Sequence, residues 1–274
     1  MRTFFRQKRF RKITGKNISP VSLRVCLNIL FPDWKLSTTN PLIIKLAIAI
    51  DMSKNRHKYI PAMGFDWLTP LYDIIMPPVM RESTIKPRLV EQMKVKKGYR
   101  ILDLGCGTAT LTIMIKKAQP EAEMIGLDID PKILAFARSK VGREGLDITF
   151  ELAVATDLPY LNGSFDCVVF SMVFHHLNRE EKTLALKEIF RVLRPGGELH
   201  IADFGKPHNA LMYLISQFAR HFEEISDNIK GLLPEMFRNA GFADVEETAQ
   251  YMTINGTLSL YRARKPELIG FNYK

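Results

Sequence analysis

Residues 101–112 read ILDLGCGTATLT, a run in which an apolar segment around Asp103 meets two glycines and continues into helix-forming residues. Gly105 and Gly107 stand at the break between these two parts. A strand that ends at glycines and continues as a helix usually surrounds a ligand, because glycine lets the backbone approach it closely. This stretch therefore predicts both a strand–loop–helix unit and a cofactor site.

Strand and helix patterns alternate from about residue 99 onward. The strand-like segments are YRILDLG, AEMIGLDI, DITFELAV, SFDCVVFSMV and ELHIADFG, and helix-like segments begin at Thr108, Pro131, Arg179 and Ile229. Continuous apolar runs are typical of strands buried on both faces of a parallel sheet. Near the end, Asn255-Gly256 separates two further strand-like runs, the signal of a two-residue hairpin. The pattern predicts an α/β, doubly wound, mostly parallel seven-stranded sheet, Rossmann-like, that ends in an antiparallel hairpin.

The charge of the chain is concentrated at its start. Of 274 residues, 39 are Lys or Arg and 29 are Asp or Glu, a net charge of +10. Residues 1–60 contain 13 of the basic and 2 of the acidic residues, which leaves 26 basic and 27 acidic residues for the rest. We therefore predict a basic N-terminal arm, residues 1–60, and a near-neutral domain, residues 61–274, that begins with a helical lid at about 61–98.

The arm leaves several interpretations open. It could contact nucleic acid or an anionic membrane, act as an organelle transit segment, or be a solvated tail. PLIIKLAIAI, residues 41–50, is too short to span a bilayer, so no transmembrane segment is predicted. The three cysteines, Cys26, Cys106 and Cys167, lack metal-type spacing and are odd in number, which favours a reducing, cytoplasmic location.

Three kinds of ligand compete for the glycine loop. A phosphate-binding P-loop needs a lysine followed by Ser or Thr after the second glycine, and none follows Gly107. A dinucleotide site needs a third glycine where Thr110 stands, which weakens NAD without excluding it. S-adenosylmethionine (SAM) has no phosphate, and its amino group favours a carboxylate such as Asp103. Asp128, at the end of the second strand, can accept hydrogen bonds from ribose hydroxyls of either NAD or SAM; its alternative role as a helix cap suits Asp130 better.

Four motifs in order extend this argument. ILDLGCGTATLT, GLDIDP, LPYLNGSFDCVVFSMVFHHL and RVLRPGGELHIADFGKP resemble the successive motifs of class I SAM-dependent methyltransferases. Over residues 61–265 the chain is most similar to the ubiquinone/menaquinone-biosynthesis type and its relatives of type 11. The resemblance implies transfer of a methyl group from SAM to a small, apolar or aromatic metabolite by in-line displacement.

The resemblance also implies a cofactor site. Its expected residues are Tyr72, Asp103, Gly105, Cys106, Gly107, Asp128, Ile129, Ala155 and Ser171. Asp103 would reach the amino group of SAM, Asp128 would bind the ribose, and Ile129 would pack against the adenine. Many relatives have an aspartate where Val154 stands, so we expect the adenine contact to be lost or to come from backbone near Ala155 and Thr156.

Candidates for the chemistry follow the fourth and fifth strands. His175 and His176 follow the fourth strand and Asp203 the fifth, at the carboxyl edge where ligands bind in such folds. The segment SMVFHHL contains no carboxylate to help a histidine hold Mg²⁺, so no bound metal is predicted. Tyr72-Asp73 is followed by IIMPPVMREST, which differs from the signature of the quinone-type relatives and argues against the quinone enzyme itself.

Other functions remain open at this stage. Within the same class, the basic arm could hold RNA or a protein for methylation. In other classes, the chain could be an NAD-dependent oxidoreductase or a non-catalytic SAM-binding protein. The preferred reading is an enzyme with a small-molecule substrate.

Overall fold

The computed structural model describes residues 81–219 and 225–267. The chain divides into two units, Met1–Ile60 and Pro61–Lys274, and every described residue belongs to the second. The predicted arm, and the part of the predicted lid that contains Tyr72, lie outside the described residues.

The described elements alternate as the sequence pattern predicts. The strands are β1 (Arg100–Leu104), β2 (Glu123–Asp128), β3 (Thr149–Leu152), β4 (Phe165–Ser171), β5 (Leu193–Phe204), β6 (Ala243–Thr253) and β7 (Gly256–Arg264). The helices are α1 (Glu82–Met93), α2 (Thr110–Ala118), α3 (Pro131–Glu144), α4 (Arg179–Val192), α5 (Ala210–Ala219), α6 (Ser226–Ile229) and α7 (Leu233–Asn239), with a 3₁₀ turn at Phe174–His176.

The strands form one seven-stranded sheet in the order β3-β2-β1-β4-β5-β7-β6. The first five are parallel to their neighbours, and β7 runs antiparallel to both β5 and β6. This confirms the predicted doubly wound sheet with its terminal hairpin, although the two-residue loop is Ile254-Asn255 rather than Asn255-Gly256, because Gly256 already pairs with Thr253. The strand order reverses between β1 and β4, where Leu104 is paired with Phe170. Ligands of such sheets bind outside the carboxyl ends of the strands at this reversal.

Both faces of the sheet are covered by apolar side chains. Alternate residues of β1 point to opposite faces: Ile101 belongs to one buried cluster, and Leu102 and Leu104 belong to the other. Burial on both faces explains why the parallel strands are continuous apolar runs.

Helix α1 is the described part of the segment in which we expected a lid. Its buried residues Ile85, Leu89 and Met93 recur every four positions and pack in the same cluster as Ile101. Gln92, near its end, donates a hydrogen bond to the carbonyl oxygen of Tyr261 on β7. Helix α1 therefore forms part of the core layer on this face of the sheet.

Two boundaries differ from the sequence expectation. We expected the helix that begins at Arg179 to stop at Pro195, but it ends at Val192 and Leu193 already has extended backbone angles. A proline disfavours the helical conformation of the residue before it, here Arg194. Strand β5 therefore begins before Pro195 and continues through it. The helix expected at about 229–242 is shorter in the structure: α7 covers Leu233–Asn239, and Gly231, with a φ of +72° that suits glycine, separates it from the short α6 before it.

The described helices are short. The longest, α3 and α4, have 14 residues each. In the described ranges, none of the helices has both the length and the apolar character needed to cross a membrane.

Phe237 of α7 provides a test of this packing. Its side chain is fully buried, and its ring meets Phe174 and Tyr261 edge to face, with centroids 6.4 and 5.7 Å apart. Phe237→Ala should lower the free energy of unfolding by about 3–5 kcal/mol, because the cavity it leaves cannot fully close. Urea denaturation measures the loss. Leu184→Ala, at a position 49% exposed on α4, is the matched control and should stay within about 0.5 kcal/mol of the parent; equal losses would contradict the packing.

Candidate active site

The glycine loop between β1 and α2 is packed on one side and open on the other. Gly105 has a φ of +65°, and a Cβ placed on it would lie only 2.6 Å from Cγ2 of Val173. A side chain at Gly105 would therefore collide with the segment that follows β4. Gly107 has a φ of +54°, and a Cβ placed on it would meet no atom within 4 Å. The loop thus packs against the β4 side at Gly105 and leaves its backbone accessible at Gly107.

Asp128 connects the end of β2 to this loop. Its buried carboxylate accepts hydrogen bonds from the backbone amides of Gly107 and Asp130, each at 3.0 Å. Burial raises the pKa of Asp128 above its ordinary value, against the opposing effect of the amide donors. Asp130 accepts from the amide of Lys132 at 2.8 Å and caps α3, which confirms the capping role predicted for Asp130.

Asp103 is a second buried carboxylate at the same loop. Thr112 donates its hydroxyl proton to Asp103 Oδ2 at 2.6 Å. Burial raises the pKa of Asp103 to about 7; Thr112 and the charge of Lys86 lower it, and the charge of Asp128 adds to the rise. Two buried carboxylates that oppose each other's ionisation favour a ligand with a positive charge and hydroxyl donors.

Cys106 lies between the two glycines, but its side chain faces the core. Its sulfur would be 3.0 Å from a Cβ on Gly126, and it packs with apolar residues of α2 and α3. Burial raises the pKa of the Cys106 thiol far above its ordinary value. Its amide donates to the carbonyl oxygen of Leu127 at 3.0 Å. Cys106 therefore stabilises the loop through its backbone hydrogen bond and the packing of its side chain in the core.

The remaining expected cofactor residues end neighbouring strands. Ile129, directly after β2, and Ser171, at the end of β4, are both half-buried. After β3, Val154 pairs with Asp157 in an isolated bridge, and Ala155 lies half-buried against the core. The structure thus places these residues along one edge of the sheet. The side chain of Val154 is apolar, so it cannot supply a hydrogen bond to the adenine.

His175 and Asp203 form a buried pair beside the loop. Nδ1 of His175 lies 3.0 Å from Oδ1 and 3.2 Å from Oδ2 of Asp203, and the His175 amide also donates to Oδ2. Burial alone would raise the pKa of Asp203, but His175, the Phe204 amide and His176 outweigh it, so that this pKa lies below its ordinary value. An ionised carboxylate only accepts hydrogen bonds, so Nδ1 of His175 carries a proton.

His176 differs from its neighbour in exposure. Its side chain is exposed, whereas that of His175 is buried. The two rings lie 4.0 Å apart between centroids. The structure therefore brings all three predicted catalytic candidates together, with one ring facing solvent.

Two residues behind this pair were missed by sequence reasoning. Lys182 of α4, buried with only 1% of its surface exposed, donates to Oδ1 of Asn228 at 3.0 Å. Asn228 donates through Nδ2 to Oδ1 of Asp203 at 3.2 Å and to the Phe204 carbonyl at 3.0 Å. Because an ammonium only donates, Lys182 determines which way the Asn228 amide faces. The one available signal was a lysine on the apolar stripe of an amphipathic helix.

In residues 81–219 and 225–267, no group of three or more His, Cys, Asp or Glu side chains is arranged to hold a metal ion.

The chain is similar to known proteins in both sequence and fold. Residues 101–197 match the family described as methyltransferase domain. The chain is similar to the demethylmenaquinone methyltransferase of Thermus thermophilus, with 34% identity over 63% of this chain and 78% of the relative. It is equally similar, at 34% identity, to the protein of the same name from Deinococcus radiodurans, over 60% of this chain and 70% of the relative.

Solved structures share the fold at lower identity. YcgJ of Bacillus subtilis has a TM-score of 0.54 at 15% identity, covering 67% of this chain and 98% of its own. A putative methyltransferase of Bacillus halodurans also has a TM-score of 0.54, at 18% identity, covering 66% and 98% of the two chains. These likenesses concern the arrangement of strands and helices.

The raised pKa of Asp103 predicts a pH dependence of stability. Between about pH 4 and pH 7 this group is protonated in the folded protein and ionised in the unfolded chain, so its contribution falls as pH rises through this window. Asp103→Asn removes that fall and keeps an acceptor for Thr112. Urea denaturation at ~pH 5 and ~pH 8 should show the variant gaining stability over the parent at the higher pH. Asp147→Asn, an exposed control, should follow the parent; an unchanged difference between parent and Asp103→Asn would contradict the assignment.

Proposed function

The chain belongs to the class I SAM-dependent methyltransferases, and we propose that it methylates a small apolar or aromatic acceptor whose proton is taken by the His175–Asp203 pair. The observation that carries the proposal is this buried pair, which lies one short turn after β4 and beside the glycine loop. Membership in the family gives the reaction class and the cofactor. The buried pair is the basis for proposing an acceptor that loses a proton when it is methylated.

The residues around the loop fit SAM. Burial disfavours the ionised forms of Asp103 and Asp128 and so raises their pKa values. An ammonium group and hydroxyl donors of a ligand would stabilise these ionised forms. We assign the amino group of the cofactor to Asp103, through water, and the ribose hydroxyls to Asp128. The backbone at Gly105 and Gly107 would hold the methionine part.

The adenine side is assigned to apolar and backbone groups. Ile129 and Ala155 are half-buried at the ends of β2 and β3, where a flat ring can pack, and Ser171 completes the edge at β4. Tyr72, the remaining expected residue, lies outside the described residues. When bound, SAM supplies a methyl group on a positively charged sulfonium, already activated for in-line displacement.

The protein's own contribution is orientation and proton transfer. Holding a nucleophile in line with the methyl group supplies roughly 7–11 kcal/mol of the barrier. When the nucleophile bears a proton, Nε2 of His175 accepts it while Nδ1–H remains directed at Asp203, whose charge stabilises the imidazolium. His176, exposed beside it, passes the proton to solvent. A base of this kind adds roughly 10²–10⁴-fold in rate.

The acceptor class rests on the relatives and on the surroundings of His175. The relatives named above are demethylmenaquinone methyltransferases, so their acceptors carry an apolar ring. In this chain Phe204 packs edge to face on His175, with centroids 5.0 Å apart, and Val173 lies two residues before it. The departure after Tyr72-Asp73 in the sequence supports an acceptor related to, but different from, that of these relatives.

The other interpretations carry less weight. Membership in the methyltransferase family favours methyl transfer over the interpretation of the chain as an NAD-dependent oxidoreductase. Methylation of RNA or protein depends on residues 1–60, which lie outside the described residues. With the small-molecule assignment we propose a cytoplasmic location, on the basis of the free buried thiols Cys106 and Cys167.

Asp128→Ala tests the cofactor assignment. Loss of a charged acceptor should weaken SAM binding roughly 10–100-fold, since hydrogen bonds to charged groups are the stronger ones. Calorimetric titration with SAM, and with NAD for comparison, measures the change. Asp147→Ala, at an exposed carboxylate before β3, is the matched control and should keep parental affinity. Parental SAM affinity in folded Asp128→Ala would refute the ribose assignment.

Variants of the buried pair test the base. Transfer of a labelled methyl group from SAM to a panel of phenols and demethylmenaquinol is measured against pH. His175→Gln should lower kcat by roughly 10²–10⁴-fold and leave the affinity for SAM intact. Asp203→Asn should move the acid limb of the pH–rate profile to lower pH, because the imidazolium loses its anionic partner.

His208→Gln, at an exposed histidine that contacts Thr257, should match the parent in both rate and profile. A parental kcat in His175→Gln with every active acceptor would show that the pair has a structural role alone. An unmoved acid limb in folded Asp203→Asn would lead to the same conclusion.

A further inference from the structure

Helix α5 exposes apolar side chains that nothing in the described residues covers. Its sequence, ALMYLISQFA, contains no charged residue, and Leu211, Tyr213 and Leu214 are 56%, 53% and 67% exposed. On its other face Met212 and Ser216 are buried. Folded monomers rarely leave a contiguous apolar face in water unless it binds something.

The tip of the β6–β7 hairpin continues this face. Met252 is 44% and Ile254 is 66% exposed. Nδ2 of Asn209, just before α5, lies 3.7 Å from the sulfur of Met252. Ser216 of α5 lies close to Gly256, the first residue of β7, since a Cβ placed on Gly256 would be 2.8 Å from Oγ of Ser216. We call the five exposed residues the apolar edge surface: Leu211, Tyr213, Leu214, Met252 and Ile254.

The surface lies at the edge of the sheet that carries the active site. Strand β7 runs antiparallel to β5 and pairs Leu258 with Phe204, the last residue of β5. The hairpin tip is therefore at the carboxyl ends of the parallel strands, as are His175 and Asp203. The opposite edge, where the parallel strands begin, carries a different exposed leucine, Leu161.

The two described segments that carry the surface contain no acidic residue. Residues 204–217 and 251–257 contain no Asp or Glu. Lys206, three residues before Asn209, and Lys230 are exposed, and a Cβ on the neighbouring Gly231 would lie 3.1 Å from Cδ of Lys206. Residues 1–60 add 13 basic and 2 acidic residues to the same chain. An apolar face with basic residues around it is the pattern of a surface that lies in the interface of an anionic membrane.

We propose that the apolar edge surface docks on an anionic lipid bilayer, with its leucines among the acyl chains and the lysines at the head groups. A second copy of the chain is the less favourable occupant, since each copy carries a net charge of +10 and like charges repel. Docking would bring the active-site edge to the phase in which an apolar acceptor concentrates, and this consequence alone rests on the proposed function.

Vesicle binding of the full chain, without SAM or acceptor, tests the proposal. Sedimentation with vesicles of phosphatidylcholine, with and without phosphatidylglycerol, should show binding that requires the anionic lipid and weakens with salt. The variant Leu211→Ser/Leu214→Ser should bind roughly tenfold or more weakly, because two inserted side chains lose their apolar area. The matched control Leu161→Ser/Leu184→Ser replaces two exposed leucines elsewhere and should bind like the parent.

Three results would overturn the proposal. One is parental vesicle binding by the Leu211→Ser/Leu214→Ser variant, which would assign binding to the basic residues alone. Another is the absence of binding by the parent protein at low salt. The last is a parental dimer, seen by sedimentation equilibrium, that these substitutions dissociate.

Circular dichroism checks that the variants fold, and Ile254→Ser on the hairpin provides a second variant. Parental SAM affinity in these variants separates a docking failure from a failure of the proposed function.

Discussion

The carboxylate of Asp128 holds together the part of the molecule on which the rest depends. It accepts from the amides of Gly107 and Asp130, so it joins the end of β2 to the glycine loop and to the start of α3. Such a carboxylate is buried at a cost that only fixed donors can offset. The loop, two strands and a helix therefore meet at this one carboxylate, which defines the geometry of the cofactor side of the site.

The acceptor side is held by side chains rather than by backbone. Lys182, Asn228, Asp203 and His175 form a chain of hydrogen bonds from α4 through α6 to the end of β5 and the turn after β4. Each member leaves the next with one favourable orientation, so the histidine ring has a defined tautomer. A buried network of this kind is costly if any member is missing, which makes it specific as well as stabilising.

The sheet and most of the cofactor side could be predicted from the sequence, because apolar runs, glycine turns and an Asn-Gly hairpin are local signals. The positions of Asp103 and Asp128 at the ends of β1 and β2 follow from them. The Lys182–Asn228 contact could not be predicted, since the two residues are far apart in sequence and no motif contains either. The inward side chain of Cys106 was missed for a related reason: a loop residue can face the core when the neighbouring Gly126 makes room for its sulfur.

The close approach of Gly105 to Val173 has a mechanical consequence. The cofactor loop and the turn that bears His175 touch with no spare volume, since even a methyl group would not fit between them. Any displacement of the loop at Gly105 would therefore displace Val173, which lies two residues before His175. The position of the proposed base is thus coupled to the cofactor loop by direct steric contact, although the two belong to different strand–loop units.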